Sequence, residues 1–134
     1  YITPHLVRND TMLTKKHQVK VDKKYFPIVY EGMSLVFEHG TARSSRLDSV
    51  SMCGKTGTVQ NPHGKDRSLF VGFAPRENPK IAVAIVVENA GFGSAYAAPI
   101  FSLLAEQYLK GKITRIELEE RITNIVTNSN VKER

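Results

Sequence analysis

The sequence predicts an α+β fold, an antiparallel sheet meander packed against helices, and three observations carry that prediction. Leu69-Phe70-Val71-Gly72-Phe73 and Ile81-Ala82-Val83-Ala84-Ile85-Val86-Val87 are strand-forming runs joined by the turn residues Pro75-Arg76-Glu77-Asn78-Pro79. Consecutive strands with so short a link pair as a hairpin. A third strand-like stretch, Ser49 to Gln60, comes just before them. Apolar residues then recur at helical spacing on either side: Phe26, Val29, Met33, Val36 and Phe37 before, and Ala97, Ile100, Phe101, Leu104, Ala105 and Tyr108 after.

The 134 residues, 41% hydrophobic and 24% charged, allow one small domain with a modest core. No apolar run approaches the roughly 20 residues needed to cross a bilayer. Tyr1-Ile2-Thr3-Pro4-His5-Leu6-Val7 reads as the interior of a longer protein, so an excised piece is expected. The single cysteine, Cys53, cannot form an internal disulfide and reads as a small buried hydrophobe rather than a reactive thiol. His5, His17, His39 and His63 lack metal-ligand spacing, and no cofactor is expected. The net charge of +6 raises nucleic acid as a partner. However, Lys15, Lys16, Lys20, Lys23 and Lys24 have no interleaved aromatics, and a solvated face explains them better.

Taken in order, residues 1–24 read as loop with one short strand at His17-Gln18-Val19-Lys20-Val21. A helix from Tyr25 to about Glu38 follows, with Pro27 tolerable only in its first turn and Gly40 as its stop. A polar loop leads to Asp48, then the Ser49–Gln60 strand, a turn-rich connection over 61–67, and strands at 68–74 and 80–88. The last of these is continuously apolar, which predicts cover on both faces. Asn89-Ala90-Gly91-Phe92-Gly93 is a turn. Ser94 then caps a helix to about Leu109, and Gly111 stops it. Residues 112–127 form one more amphipathic helix, and Thr127 to Arg134 a frayed polar tail.

The Ser49–Gln60 stretch holds the anomaly. Val50, Thr56, Thr58 and Val59 suit a strand, yet Gly54, Lys55 and Gly57 interrupt it. Glycine weakens a strand and often marks the close approach of another backbone. One reading is an edge strand whose polar residues face water, with Lys55 opposing aggregation. A phosphate loop fails: the first glycine of G-x-x-x-x-G-K-[ST] would fall at Ser49, and Gly57 and Pro62 follow where a helix should begin. A third reading is the K-T-G element of serine transpeptidases and β-lactamases.

Four stretches in order support the third reading. They are Glu31-Gly32-Met33 with Gly40-Thr41-Ala42, Lys55-Thr56-Gly57-Thr58 with Gln60, Phe70-Val71-Gly72-Phe73-Ala74-Pro75, and Gly91-Phe92-Gly93 with Ala97-Ala98-Pro99-Ile100. On these the chain resembles the C-terminal part of the transpeptidase domain of class B penicillin-binding proteins, most closely the penicillin-binding protein 2 group. The resemblance covers about residues 1–109 and leaves 110–134 as a C-terminal extension. It implies part of the β-lactamase/transpeptidase-like fold, incomplete because the helical part bearing S-x-x-K and S-x-N is missing. Neither motif occurs ahead of Lys55, and the only S-x-x-K spacing, Ser129 to Lys132, falls in the polar tail.

In this family a serine attacks a D-Ala-D-Ala carbonyl, and an amine of a neighbouring stem peptide resolves the acyl-enzyme. The resemblance implies that Lys55 orders the hydroxyl network, helps proton transfer and attracts the donor carboxylate. Thr56 and Thr58 would hydrogen-bond that carboxylate, and Gly57 would leave room for the peptide beside the strand. The Thr58 N–H would be one of two oxyanion-hole donors. β-Lactams would mimic the peptide in the parent protein, while the fragment alone, without a nucleophile, would be inactive. The resemblance also implies a parent anchored in the inner membrane with this domain in the periplasm, working beside a polytopic glycan polymerase and other wall-elongation proteins. Apolar sheet surface left open would favour self-association. An alternative of another class is a transpeptidase-like domain that senses β-lactam or muropeptide without turnover; such sensors keep the serine.

Overall fold

The computed structural model describes residues 16–131, with side chains to residue 124. The expected piece at 1–15 lies outside the described residues. His17–Val21 does not form the expected strand: Lys16 makes an isolated bridge and the following residues are irregular. Val19 and Val21 are both about half exposed, so nothing packs on them to hold an extended segment.

Asp22 opens a 3-10 turn, Lys23–Tyr25, by accepting the Lys24 N–H at 3.0 Å. The turn runs into α1 (Phe26–Glu38), with Pro27 at the start where its missing N–H costs no hydrogen bond. Phe37 is buried and Met33 and Val36 half-buried, but Val29 from the predicted stripe is exposed. Gly40 ends the helix for a different reason from the one expected. Its φ is not left-handed; a Cβ there would lie 2.8 Å from Val36 Cα as the chain folds back. The next residues are not plain loop, since Arg43–Ser45 forms a second 3-10 turn.

Strands β1 (Cys53–Val59), β2 (Arg67–Ala74) and β3 (Ile81–Val87) form an antiparallel sheet in the order β1-β2-β3. Thr56 pairs with Phe70 and Phe70 with Ile85, while Lys55 pairs with Val71 and Val71 with Ala84. Alternation therefore sorts the side chains into two faces. The first carries Gly54, Thr56, Thr58, Ser68, Phe70 and Gly72, and is covered by helices. Phe70 is its centre, with ring centroids 5.6 Å from Phe37 and 5.0 Å from Phe101. Burying such a ring contributes about 1.5–3 kcal/mol.

The expectation that β3 is covered on both faces is not met among the described residues. Val83 and Ile85 are half-buried against the core, whereas Ala82, Ala84 and Val86 are exposed. Among the described residues, helices pack on one face of β3 only. An apolar run shows that a residue can be buried, not that a layer exists to bury it.

Helix α2 (Ala97–Lys110) lies across β2 and β3. Ser94 does not cap it: the N-cap is Tyr96, and the Ala97 N–H is met by Ser68 Oγ of β2 at 3.1 Å. Gly111, at φ 74°, closes the other end, its N–H bonding Gln107 O. The buried stripe is also turned from the expected one. Ala97, Ala98, Phe101, Ser102, Ala105 and Glu106 are inside, and Leu104 and Tyr108 are out. Helix α3 spans Ile116–Val131, so the backbone over 127–131 is helical rather than frayed tail.

Candidate functional site

The two glycines of the Lys-Thr-Gly strand have separate causes. A Cβ at Gly54 would lie 2.2 Å from the Phe70 ring, so this glycine serves the core. At Gly57 an added Cβ would meet only Leu69 Cβ, at 3.2 Å; the close approach of the loop before α2 constrains Gly93 instead, where a Cβ would lie 2.6 Å from Gly57 O and 2.5 Å from Leu69 O. Ser68 Oγ holds that loop by donating to Phe92 O at 3.0 Å while accepting from Ala97.

The polar side chains of β1 divide between its faces. Lys55 is exposed on the open face beside Val71, and its Nζ donates to Thr56 O at 2.8 Å. Thr56 and Thr58 point to the helix-covered face, where Thr58 is exposed and Thr56 Oγ1 lies 2.9 Å from Thr41 Oγ1. Four successive residues are thus presented along one strand, but Lys55 and the two threonines do not converge on one face. Because β1 is an edge strand, only a ligand lying along its open edge meets both sets. That edge pairs with no other strand among the described residues.

Cys53 shares the face of Lys55, as alternation requires, but it is fully buried with Sγ 3.4 Å from Tyr30 O. Burial pushes its thiol up, and the positive charge of Arg76 only partly opposes this. The start of β1 is held by a polar knot. Arg76 pairs with Glu31 at 2.6 Å and its N–H bonds Ser51 O, while Ser51 Oγ donates to Glu77 at 2.5 Å. The Ser51 bond lowers the Glu77 pKa, and the Glu31 bond raises that of Arg76.

Two further features bear on the site's chemistry. Ser129 falls within α3, and Lys132 lies outside the described residues. No group of three His, Cys, Asp or Glu side chains able to hold a metal occurs among the described residues. A cavity of about 440 Å³ lies between the end of α1 and residues 46–52, lined by Glu38, Arg46 and Asp48 among others. Lys55–Thr58 do not line it, so its size is no guide to the candidate site.

Sequence reasoning missed a buried ion cluster beside the site's support. Glu106 is fully buried and accepts from Arg115 Nε at 2.9 Å and Thr114 Oγ1 at 2.5 Å. The same guanidinium donates to the carbonyls of Ser45, Arg46 and Ser102. Burial alone would raise the Glu106 pKa, but the Thr114 and Arg115 hydrogen bonds outweigh it and hold the carboxyl below its ordinary range. A glutamate one turn after Ser102 was the visible signal; its partner nine residues on was not.

Residues 1–106 match the family model described as the penicillin binding protein transpeptidase domain. The peptidoglycan D,D-transpeptidase MrdA of Haemophilus influenzae is 33% identical over 95 residues, 59% of this chain and 15% of that protein. MrdA of Acinetobacter baumannii is 37% identical over 89 residues, 53% of this chain and 13% of that protein. Among solved structures, Pseudomonas aeruginosa PBP2 in complex with WCK 5153 superposes with a TM-score of 0.62 at 38% identity, over 73% of this chain and 22% of that one. The chain thus spans less than a fifth of the length of these two curated relatives.

Proposed function

Since the chain belongs to the penicillin-binding-protein transpeptidase family, we propose that it supplies the Lys-Thr-Gly wall of a peptidoglycan D,D-transpeptidase site. The observation that carries this reading is β1 itself: an edge strand with Lys55 on one face, Thr56 and Thr58 on the other, and Gly57 between them. A stem peptide ending in D-Ala-D-Ala lies along this edge as an added strand. Lys55 attracts its terminal carboxylate, and the Thr56 and Thr58 hydroxyls donate to it. Thr58 N–H is one oxyanion donor.

The attacking serine comes from polypeptide outside this sequence, which has no S-x-x-K ahead of Lys55. Its hydroxyl adds to the penultimate carbonyl, the terminal D-Ala departs as a free amine, and an ester remains. A neighbouring stem-peptide amine then displaces the serine. β-Lactams enter the same edge, presenting a carboxylate and a strained carbonyl. On this reading residues 1–109 are the transpeptidase portion and 110–134 an extension. The parent is anchored in the inner membrane with this domain in the periplasm, beside a glycan polymerase. No helix among the described residues is long and apolar enough to cross a membrane.

A graft tests the reading. Residues 1–109 replace the matching stretch of P. aeruginosa PBP2, and labelling by fluorescent penicillin is followed. The graft is expected to label, and Lys55→Ala within it to slow labelling by about 100-fold or more. The 134-residue chain alone is expected to remain unlabelled. A folded graft that never labels, or labelling of any serine in the isolated chain, would overturn the assignment.

A further inference from the structure

A buried cluster ties the segment after α2 to the turn that follows α1. Ser102 and Glu106 lie one turn apart on α2, so both reach the same side of the helix. Gly111 ends α2 in the left-handed region, and Thr114 and Arg115 return over that side. The Arg115 guanidinium finds an acceptor for each of its N–H groups. Nε donates to Glu106 at 2.9 Å. One terminal nitrogen donates to Ser45 O at 3.2 Å and Arg46 O at 3.3 Å, the other to Ser102 O at 3.0 Å and Ser102 Oγ at 2.8 Å. Ser102 Oγ itself donates to Ser45 O. Glu106, Ser102 and Ser45 are fully buried. Thr114 and Arg115 lie beyond residues 1–106, the stretch that matches the family model.

A buried ion pair is often no more stable than an apolar pair of the same volume. What a guanidinium adds is direction, because its donors are fixed in one plane. Here they are aimed at the end of the turn over residues 40–46. The bonds from Arg43 N–H to Gly40 O, Ser45 N–H to Ala42 O and Arg46 N–H to Arg43 O give this turn its shape. Ala42 N–H to Val36 O ties its start to α1. Its far end is placed by Ser102 and Arg115. Between the two ends stands Thr41, whose Oγ1 lies 2.9 Å from Thr56 Oγ1. We propose that Arg115 is a positioning residue for the Lys-Thr-Gly strand. It holds the Ser45 and Arg46 carbonyls, the turn they end holds Thr41, and Thr41 sets the Thr56 hydroxyl. The segment after α2 is thus part of the working unit.

The cluster allows placing the turn to be separated from neutralising the carboxylate. Lys110 Nζ already lies 3.9 Å from Glu106 Oε1, and Thr114 donates to the same oxygen through its N–H and its hydroxyl. Arg115→Lys keeps a positive charge for Glu106. Its donors sit on one nitrogen, however, and cannot fork to Ser45 O, Arg46 O and Ser102 together. The consequence for acylation rests on the transpeptidase reading, in which Thr56 meets the donor carboxylate. The link from Arg115 to Thr56 does not.

Both parts can be measured. In the 134-residue chain, vicinal NMR couplings read the χ1 angles of Thr41 and Thr56. Wild type is expected to hold one rotamer at each, and Arg115→Lys to average both while the couplings of Thr58 stay as in wild type. Glu106→Leu combined with Arg115→Met removes both charges together, so neither is left buried alone. It is expected to give the same averaging in a chain that circular dichroism shows to be folded. In a PBP2 graft carrying residues 1–134, Arg115→Lys is expected to slow labelling by fluorescent penicillin about fivefold, and by less than about twofold when Thr41→Val is already present. A residue that only stabilises the fold would slow both grafts alike. Unchanged Thr56 couplings in both variants, no slowing, or equal slowing with and without the Thr41 hydroxyl would each overturn the proposal. A wild-type graft that never labels would strike the transpeptidase reading instead, and the couplings would then decide for or against Arg115.

Discussion

The hydroxyl of Thr41, on the turn after α1, lies 2.9 Å from the hydroxyl of Thr56 in the Lys-Thr-Gly strand. Thr41 belongs to the chain reversal at Gly40, so the end of a helix sets the rotamer of a proposed carboxylate ligand. Removing this exposed hydrogen bond costs roughly 0.5–1.5 kcal/mol. In the PBP2 graft, Thr41→Val is expected to slow acylation several-fold while lowering the thermal midpoint by no more than a few degrees, and Thr41→Ser to retain the rate. Stopped labelling reactions with fluorescent penicillin measure both.

Two glycine substitutions are expected to act in opposite directions. Gly54→Ala drives a methyl to within 2.2 Å of the Phe70 ring, and overpacking of this kind costs about 1–3 kcal/mol. Gly32 is in mid-α1 with nothing within 4 Å of an added Cβ, and Gly32→Ala is expected to stabilise by about 0.5–1 kcal/mol. Urea unfolding followed by circular dichroism reads both shifts.

The Glu106 cluster predicts acid sensitivity. Hydrogen bonds hold its carboxyl below the ordinary value of 4.5 in the folded chain. As pH falls, the unfolded chain therefore takes up this proton first. The stabilisation is complete above the ordinary value and is lost as pH drops through the folded-state pKa. Glu106→Gln leaves Arg115 with a neutral partner and is expected to cost about 3 kcal/mol at neutral pH. The difference from wild type should shrink below pH 4.5, as urea titrations across the acid range would show.

Cys53 is fully buried with its thiol pushed up by burial. Thiolate is the reactive form, so a disulfide reagent is expected to modify the native chain only as fast as the sheet opens. The rate should rise with urea in parallel with unfolding. Rapid modification without denaturant would place the thiol outside the core.

Which parts of this molecule were legible in the sequence follows from how far apart the cooperating residues lie. The period of α1, the β2–β3 hairpin and the alternation of β1 are set by neighbours a few residues away, and all three are present. For the cap of α2 the sequence points to Ser94, the nearest hydroxyl, while the group that meets Ala97 N–H is Ser68, 29 residues earlier. The sidedness of the site was only half visible. Alternation separates Lys55 from Thr56 and Thr58, but a strand alone does not say which set faces a helix.

By itself the sequence determined the element types, their order and the Lys-Thr-Gly strand, because turn chemistry and side-chain periodicity act locally along the backbone. Only the tertiary structure decided that β3 carries helices on one face among the described residues and that Glu106, not Tyr108, is inside. Both outcomes depend on which other layer arrives to exclude water. Burial is a property of the assembled packing, and a residue's own character constrains it without choosing its side.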